Sequence, residues 1–182
     1  MKRFIIIAAL LFIGYSASAQ FKVNAGYLNS KVTAKESGIS ASVSGNGFFA
    51  GVLYEMPVGG IGLKIEPGLN FDYIKFKAAG ESSAVYYLRA PLQLNYSFEI
   101  ADMATLFLGA GPSVIFGVGG DDEPFEDGGM KRFDLQLGAL AGVRIAEHFE
   151  IRAGYDWGLL KAEDLDIKNH RNAVTVGVAY TF

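Results

Sequence analysis

The chain has 182 residues, a formal charge of −3, no cysteine, 23 glycines and 13% aromatic residues. That length suits one domain. The mild acidity argues against a nucleic-acid partner, which wants a basic footprint, and the lack of cysteine excludes a disulfide framework and a lipid-bearing cysteine behind a signal.

Met1 to Ala19 is laid out as a secretory signal. Lys2 and Arg3 open it, Phe4 to Ile13 is an apolar run, and Ala17-Ser18-Ala19 offers small residues for cleavage. The run is shorter than the roughly 20 apolar residues of a membrane-crossing helix. Cleavage before Gln20 is therefore expected, leaving one domain over residues 20–182 and, without Lys2 and Arg3, a charge of −5.

From there the chain alternates with a period of two, the mark of strands whose faces meet different surroundings. Phe21 to Asn29 sets Phe21, Val23, Ala25 and Tyr27 against Lys22, Asn24 and Gly26. Ser30 to Asn46 reads as a long polar loop. Gly47 to Met56 carries Phe48, Ala50, Val52, Tyr54 and Met56 on one face and ends in the turn Pro57-Val58-Gly59-Gly60. The third strand, Ile61 to Lys75, places Leu63, Ile65, Leu69, Phe71 and Tyr73 opposite Lys64, Glu66, Asn70 and Asp72. Phe76 to Ser83 reads as a medium loop. Ala84 to Phe98 sets Tyr86, Leu88, Leu92, Leu94 and Tyr96 against Tyr87, Arg89, Gln93 and Asn95, and Glu99 to Met103 is a short connection. Ala104 to Val118 follows, then an acidic loop, Gly119 to Lys131. Arg132 to Ile145 bears Asp134 and Arg144 on its polar face; Phe149 to Leu160 bears Glu150, Arg152 and Asp156. The last strand, Arg171 to Phe182, alternates Val174, Val176, Val178, Tyr180 and Phe182 with small or polar residues, and the sequence stops on an aromatic.

Eight strands result, joined by connections that alternate between longer and shorter. An all-β, antiparallel, up-and-down transmembrane barrel of eight strands fits this count, with longer loops outside and short turns inside. Closure removes the unpaired sheet edges that lipid would punish. A soluble lipocalin-like barrel also alternates, with its apolar face inside. Three features favour the inverted arrangement. Aromatics cluster near strand ends on the apolar face, the polar face is rich in glycine, and the polar face carries both charge signs equally. Lys22, Lys64, Arg89, Arg144 and Arg152 stand against Glu66, Asp72, Asp134, Glu150 and Asp156, five of each. Buried charges need such partners. These ten residues are the expected lumen ion-pair network, Tyr180 and Phe182 the expected C-terminal insertion signal, and a balanced, narrow lumen implies a plug rather than a pore.

Tyr87-Leu88-Arg89-Ala90-Pro91-Leu92-Gln93-Leu94-Asn95-Tyr96 resembles the Y-L-x-x-P-L-x-x-x-Y strand of the PorT-like outer-membrane barrel family. Leu108-Gly109-Ala110-Gly111-Pro112 resembles that family's G-x-G-P strand, and Phe133-Asp134 through Ala141-Gly142 its F-D-x-x-x-x-x-G strand. The size is similar to that of the eight-stranded OmpX and OmpA membrane domains. The resemblance implies a fold and an outer-membrane location; it does not fix an activity.

Evidence for chemistry is thin. The two histidines, His148 in a short turn and His170 near the last strand's start, have no serine at same-face spacing, as a general base would need. Asp121, Asp122, Glu123, Glu126 and Asp127 could offer oxygens to Ca²⁺ but lack regular ligand spacing, and Pro124 interrupts them. A solvated acidic loop is the plainer reading. No catalytic residue, cofactor or metal is expected. The expected partners are outer-membrane lipid, the barrel-assembly machinery during insertion, and an extracellular or envelope protein reached through the outer loops. A lipid-modifying barrel enzyme, a narrow pore and a periplasmic lipocalin-like barrel are the alternatives.

Overall fold

The computed structural model describes residues 20–36, 39–59, 62–78, 81–121, 124–125, 132–160 and 168–182. The expected signal segment, residues 1–19, lies outside them. Eight strands form one closed antiparallel barrel: β1 (Gln20–Glu36), β2 (Ile39–Pro57), β3 (Leu63–Ala78), β4 (Glu81–Ala101), β5 (Ala104–Gly120), β6 (Phe133–Ile145), β7 (Phe149–Gly158) and β8 (Lys168–Thr181). Each strand pairs with its sequence neighbours. β8 closes on β1 from Lys22↔Thr181 to Lys35↔Lys168. The Phe182 amide donates to the Phe21 carbonyl at 3.0 Å, so the final residue is clipped to the first turn of the wall.

Strand register fixes the tilt. Following it from Phe21 through Tyr54, Pro67, Leu92, Pro112, Leu137, Trp157 and Asn172 returns to β1 at Lys31, ten residues along. A stagger of this kind tilts the strands and leaves an eight-stranded interior that side chains can fill. At the β1–β8 seam Gly26 faces Gly177, and the ring of Phe49 lies over both. A Cβ on either glycine would come within 2.7 Å of that ring, so neither position has room for a side chain.

The apolar face is the outer one. Leu92 is 49% exposed, Trp157 46% and Val178 58%, whereas Glu66 is 1% exposed. An apolar surface running around the whole sheet is not what water tolerates. Aromatic contacts band it at two levels. Phe21, Phe149, Tyr180 and Phe182 cluster at the end holding the termini, with centroids 5.1–5.8 Å apart. Tyr27–Phe48, Tyr73–Tyr86 and Tyr155–Trp157 pair at the other end, at 6.5, 5.7 and 4.8 Å. On β4, Tyr86 to Tyr96 spans about 25 Å along the axis at the usual tilt, the height of a barrel's apolar band.

Two loops expected from the sequence are strands instead. Within the first, Ser30 to Glu36 pairs with Ile39 to Gly45, from Ser30↔Gly45 to Glu36↔Ile39. Phe76 to Ser83 is likewise paired out to Ala78↔Glu81. Above the apolar band the outward residues need not be oily, so the alternation fades while backbone pairing continues. Smaller shifts follow the same logic: β4 runs on to Ala101, β5 to Gly120, and β7 stops at Gly158. At the β6–β7 turn, Ala146 and Glu147 hold φ of 49° and 65°, a region that strains L-residues. Ala146→Gly and Glu147→Gly are each expected to raise the unfolding free energy by roughly 0.5–1 kcal/mol, because relief of strain outweighs added chain entropy. Urea titration of the barrel refolded into vesicles checks this.

Candidate functional site

The inward positions of the strands build the interior in layers. Nearest the termini lies an ionic cluster around Lys22, whose side chain is fully buried. Alternation on β1 turns it inward between the outward Phe21 and Val23. Its ammonium donates to Glu55 of β2 at 2.5 Å, Glu66 of β3 at 2.7 Å and Glu150 of β7 at 2.7 Å. Those acids have further partners. Arg144 reaches Glu55 and Glu150 at 2.6 Å each, Arg152 reaches Glu66 at 2.7 Å, and Lys64 reaches Glu55 at 2.5 Å near the mouth. Three acids thus sit among four cations.

The middle layer has the opposite excess. Arg89 holds Asp72 through two hydrogen bonds, Nε to Oδ2 at 2.9 Å and Nη2 to Oδ1 at 3.1 Å. Its Nη1 lies 3.8 Å from Asp156, and its guanidinium stands over Phe49 at 5.3 Å. One cation here serves two acids, so the two layers together are neutral. Between them a cavity of about 60 Å³ is lined by Asn24, Asn70, Gln93 and Thr175 among others. The side-chain oxygens of Asn24, Asn70 and Gln93 have no protein partner. Such a polar, small space suits water.

Toward the loop end the interior turns apolar. Leu28, Phe49, Ile74, Phe76, Val85, Tyr87 and Ile115 form one buried cluster, with Val32 and Phe125 packed on it. Arg171 lies over the Tyr87 ring at 4.1 Å, with its Nε 3.8 Å from Asp134.

All ten residues expected in the network point inward, but they do not form one network. Lys22, Lys64, Glu66, Arg144, Glu150 and Arg152 belong to the first cluster, Asp72, Arg89 and Asp156 to the second, and Asp134 pairs separately with Arg171. Glu55 and Arg171 were missing from the expectation. Strand parity could have found both, since Glu55 falls between the outward Tyr54 and Met56. Its face looked mixed because Phe49 and Leu53 share it, and those two are buried inside. The lumen, expected to be polar and glycine-lined, is instead apolar toward the loop end. Tyr180 and Phe182 pack in the terminal aromatic band, their rings 5.1 Å apart.

His148 sits in the β6–β7 turn, its Nδ1 3.0 Å from the Thr181 carbonyl oxygen and its ring stacked on Tyr180. His170 pairs by backbone with Thr33. Of the acidic loop residues, Asp121 caps the top of β4, accepting from the Ala84 amide at 3.0 Å; Asp122, Glu123, Glu126 and Asp127 lie outside the described residues. Among the described residues no cluster of His, Cys, Asp or Glu is arranged to hold a metal.

The two ionic layers should respond differently to loss of their central cation. After Lys22→Met, each of Glu55, Glu66 and Glu150 keeps another cation. After Arg89→Met, Asp72 and Asp156 keep none of the ion pairs described above. Arg89→Met is therefore expected to cost about 3–5 kcal/mol and Lys22→Met less, with Asp72→Asn restoring part of the Arg89→Met loss. Urea unfolding in vesicles, with the double variants, measures both.

A model described as the outer membrane protein beta-barrel domain matches residues 5–182. Among solved structures, Neisserial surface protein A is similar, with 22% identity, 91% of this chain and 99% of that chain covered, and a TM-score of 0.52. Ail, the attachment invasion locus protein of Yersinia pestis, shows 19% identity over 90% of this chain and 99% of its own, with a TM-score of 0.46. The outer membrane enzyme PagL shows 15% identity over 86% and 98%, with a TM-score of 0.49. No curated protein sequence matches the chain. At such identities the likeness concerns the fold. With its apolar exterior, closed eight-stranded wall and match across almost the whole sequence, the chain belongs to the outer membrane protein β-barrel domain family and is a protein of the bacterial outer membrane.

Proposed function

We propose that this protein is a non-conducting barrel that anchors and displays its loop end at the cell surface, where it meets an extracellular or envelope protein. The observation that carries the reading is the filled interior. An ion crossing it would meet the Lys22 cluster, then the Arg89 pairings, then an apolar cluster flanked by the paired Arg171 and Asp134. A selective pore would hold an excess of one sign along an open path.

The loop end supports display. Past Tyr27 and Phe48, β1 and β2 remain paired from Leu28↔Gly47 to Glu36↔Ile39. Leu28 and Val32 of this hairpin pack inward with Ile74, Phe76 and Val85, giving the projection a core of its own. We place this end outside and the termini in the periplasm, after export on residues 1–19 and their removal before Gln20. Tyr180 and Phe182 then serve as the insertion signal read by the barrel-assembly machinery. The strand from Tyr87 to Tyr96 supports a place in the PorT-like subgroup. The role is structural rather than catalytic: His148 is engaged with Thr181 and Tyr180 in its turn.

Planar-bilayer recording tests this directly. The folded protein is expected to give no steady open current, and sustained unitary conductance would establish the narrow-pore alternative instead. Lipid A mass spectra from cells with and without the protein are expected to be identical; a removed acyl chain would establish an enzyme.

A further inference from the structure

The outward face just above the loop-end aromatics carries lysines on β1 and β3, on either side of β2. Lys31 of β1 and Lys75 and Lys77 of β3 are exposed there, and none has an ion-pair partner among the described residues. Between them β2 presents Ser42, Ser44 and Asn46, all exposed. Lys31 is in register with Ser44, and Asn46 with Lys75, so the two lysines flank these side chains. Asn46 is oriented from beneath: its Oδ1 accepts from the Tyr27 hydroxyl at 2.5 Å and from Asn29 Nδ2 at 2.7 Å. With the oxygen taken, the amide turns its N–H donors to the cluster. The patch thus offers ammonium, amide and hydroxyl donors and no carboxylate among the described side chains.

Height identifies what meets it. The register climbs ten residues over eight strands, so two strands along the level shift is about two and a half residues. Lys75 therefore stands nearly level with Lys31, on the order of 12 Å away around the wall. Both lie roughly 5–10 Å above the aromatic band, which marks the top of the hydrocarbon. The headgroup layer occupies about 5–8 Å on each side of a bilayer. Lysine arms at that depth reach headgroups, not solvent alone. The exposed charges at the opposite end, Glu99, Asp102 and Glu147, are acidic, so the two rims are not equivalent.

We infer that Lys31, Asn46, Lys75 and Lys77, with Ser44, form a binding site on the outside of the wall for the phosphorylated headgroup of an outer-leaflet lipid. The site rests on the reading that the loop end faces outward. It ties one side of the barrel, β1 to β3, to a particular lipid neighbour and so orients the displayed hairpin relative to the surface.

Native mass spectrometry of the full-length mature barrel in detergent, mixed with bisphosphorylated lipid A, tests the site. Wild type is expected to retain lipid A, and Lys31→Gln/Lys75→Gln/Lys77→Gln to lose retention by roughly tenfold or more. Dephosphorylated lipid A should bind both proteins alike and weakly, and millimolar inorganic phosphate should not displace the lipid. Glu99→Gln/Asp102→Asn should change nothing. Heat-modifiable gel mobility confirms that the triple variant is folded; the three side chains are exposed and have no ion-pair partner among the described residues, so folding should survive. Equal retention by wild type and the folded triple variant would overturn the site, as would displacement by free phosphate. Orientation has its own readout: Ser42→Cys should react with a membrane-impermeant maleimide on intact cells. Failure to label would overturn the outward placement of the loop end, while retention in detergent would still report on the site itself.

Discussion

Charge inside a sheet that is oily outside governs this molecule. The exterior must be apolar because lipid offers no hydrogen bonds, and the alternation of a strand then forces every second residue into an interior only as wide as side chains can fill. Charged groups there cannot be hydrated freely and must be answered by other charged groups. Lys22 shows the consequence. It stands on β1, yet its partners come from β2, β3 and β7, so one ammonium makes contacts that exist only when the barrel is closed. Ionic pairing of this kind is less a source of net stability than a condition on closure: a barrel with the wrong register would leave buried charges unanswered.

Neutrality is reached by the interior as a whole, not within each layer. The Lys22 cluster carries one cation too many and the Arg89 group one acid too many. The amide-lined cavity separates them by a short distance in a medium that screens poorly, so each excess remains within the field of the other. Above this, the apolar cluster is flanked by a single balanced pair, Arg171 with Asp134. It does for the loop end what a globular core does for a soluble domain, holding β1–β2 and β3–β4 together where lipid no longer supports them.

This division assigns different work to the two ends. At the end holding the termini, the closing seam, the aromatic band and the ionic cluster coincide: Phe182 is bonded to Phe21, and Lys22 is the next residue inward. At the loop end the wall rises beyond the aromatic band on β1 to β3, and its outward side chains become lysine, serine and asparagine. The first end closes the wall; in the proposed orientation the second carries the surface on which lipid headgroups and a protein partner would be met.

The sequence by itself determined the fold class, the number of strands and which face of each meets lipid. A period of two set by the contrast between lipid and lumen is written residue by residue: Val174, Val176 and Val178 outward, Glu150, Arg152 and Asp156 inward. Most interior charges were legible for the same reason. The hairpin past Tyr27 was not, because strands beyond the apolar band have no oily face to mark them and are held by pairing that adjacent residues do not reveal. Parity alone turns Glu55 inward, but Phe49 and Leu53 share its face, and it is the register that sets Glu55 at the depth of the ionic cluster and Phe49 at that of the apolar one. Tertiary structure decided who answers whom: the stagger of ten residues around the wall sets which inward side chains meet, and that stagger is a property of closure, not of any one strand.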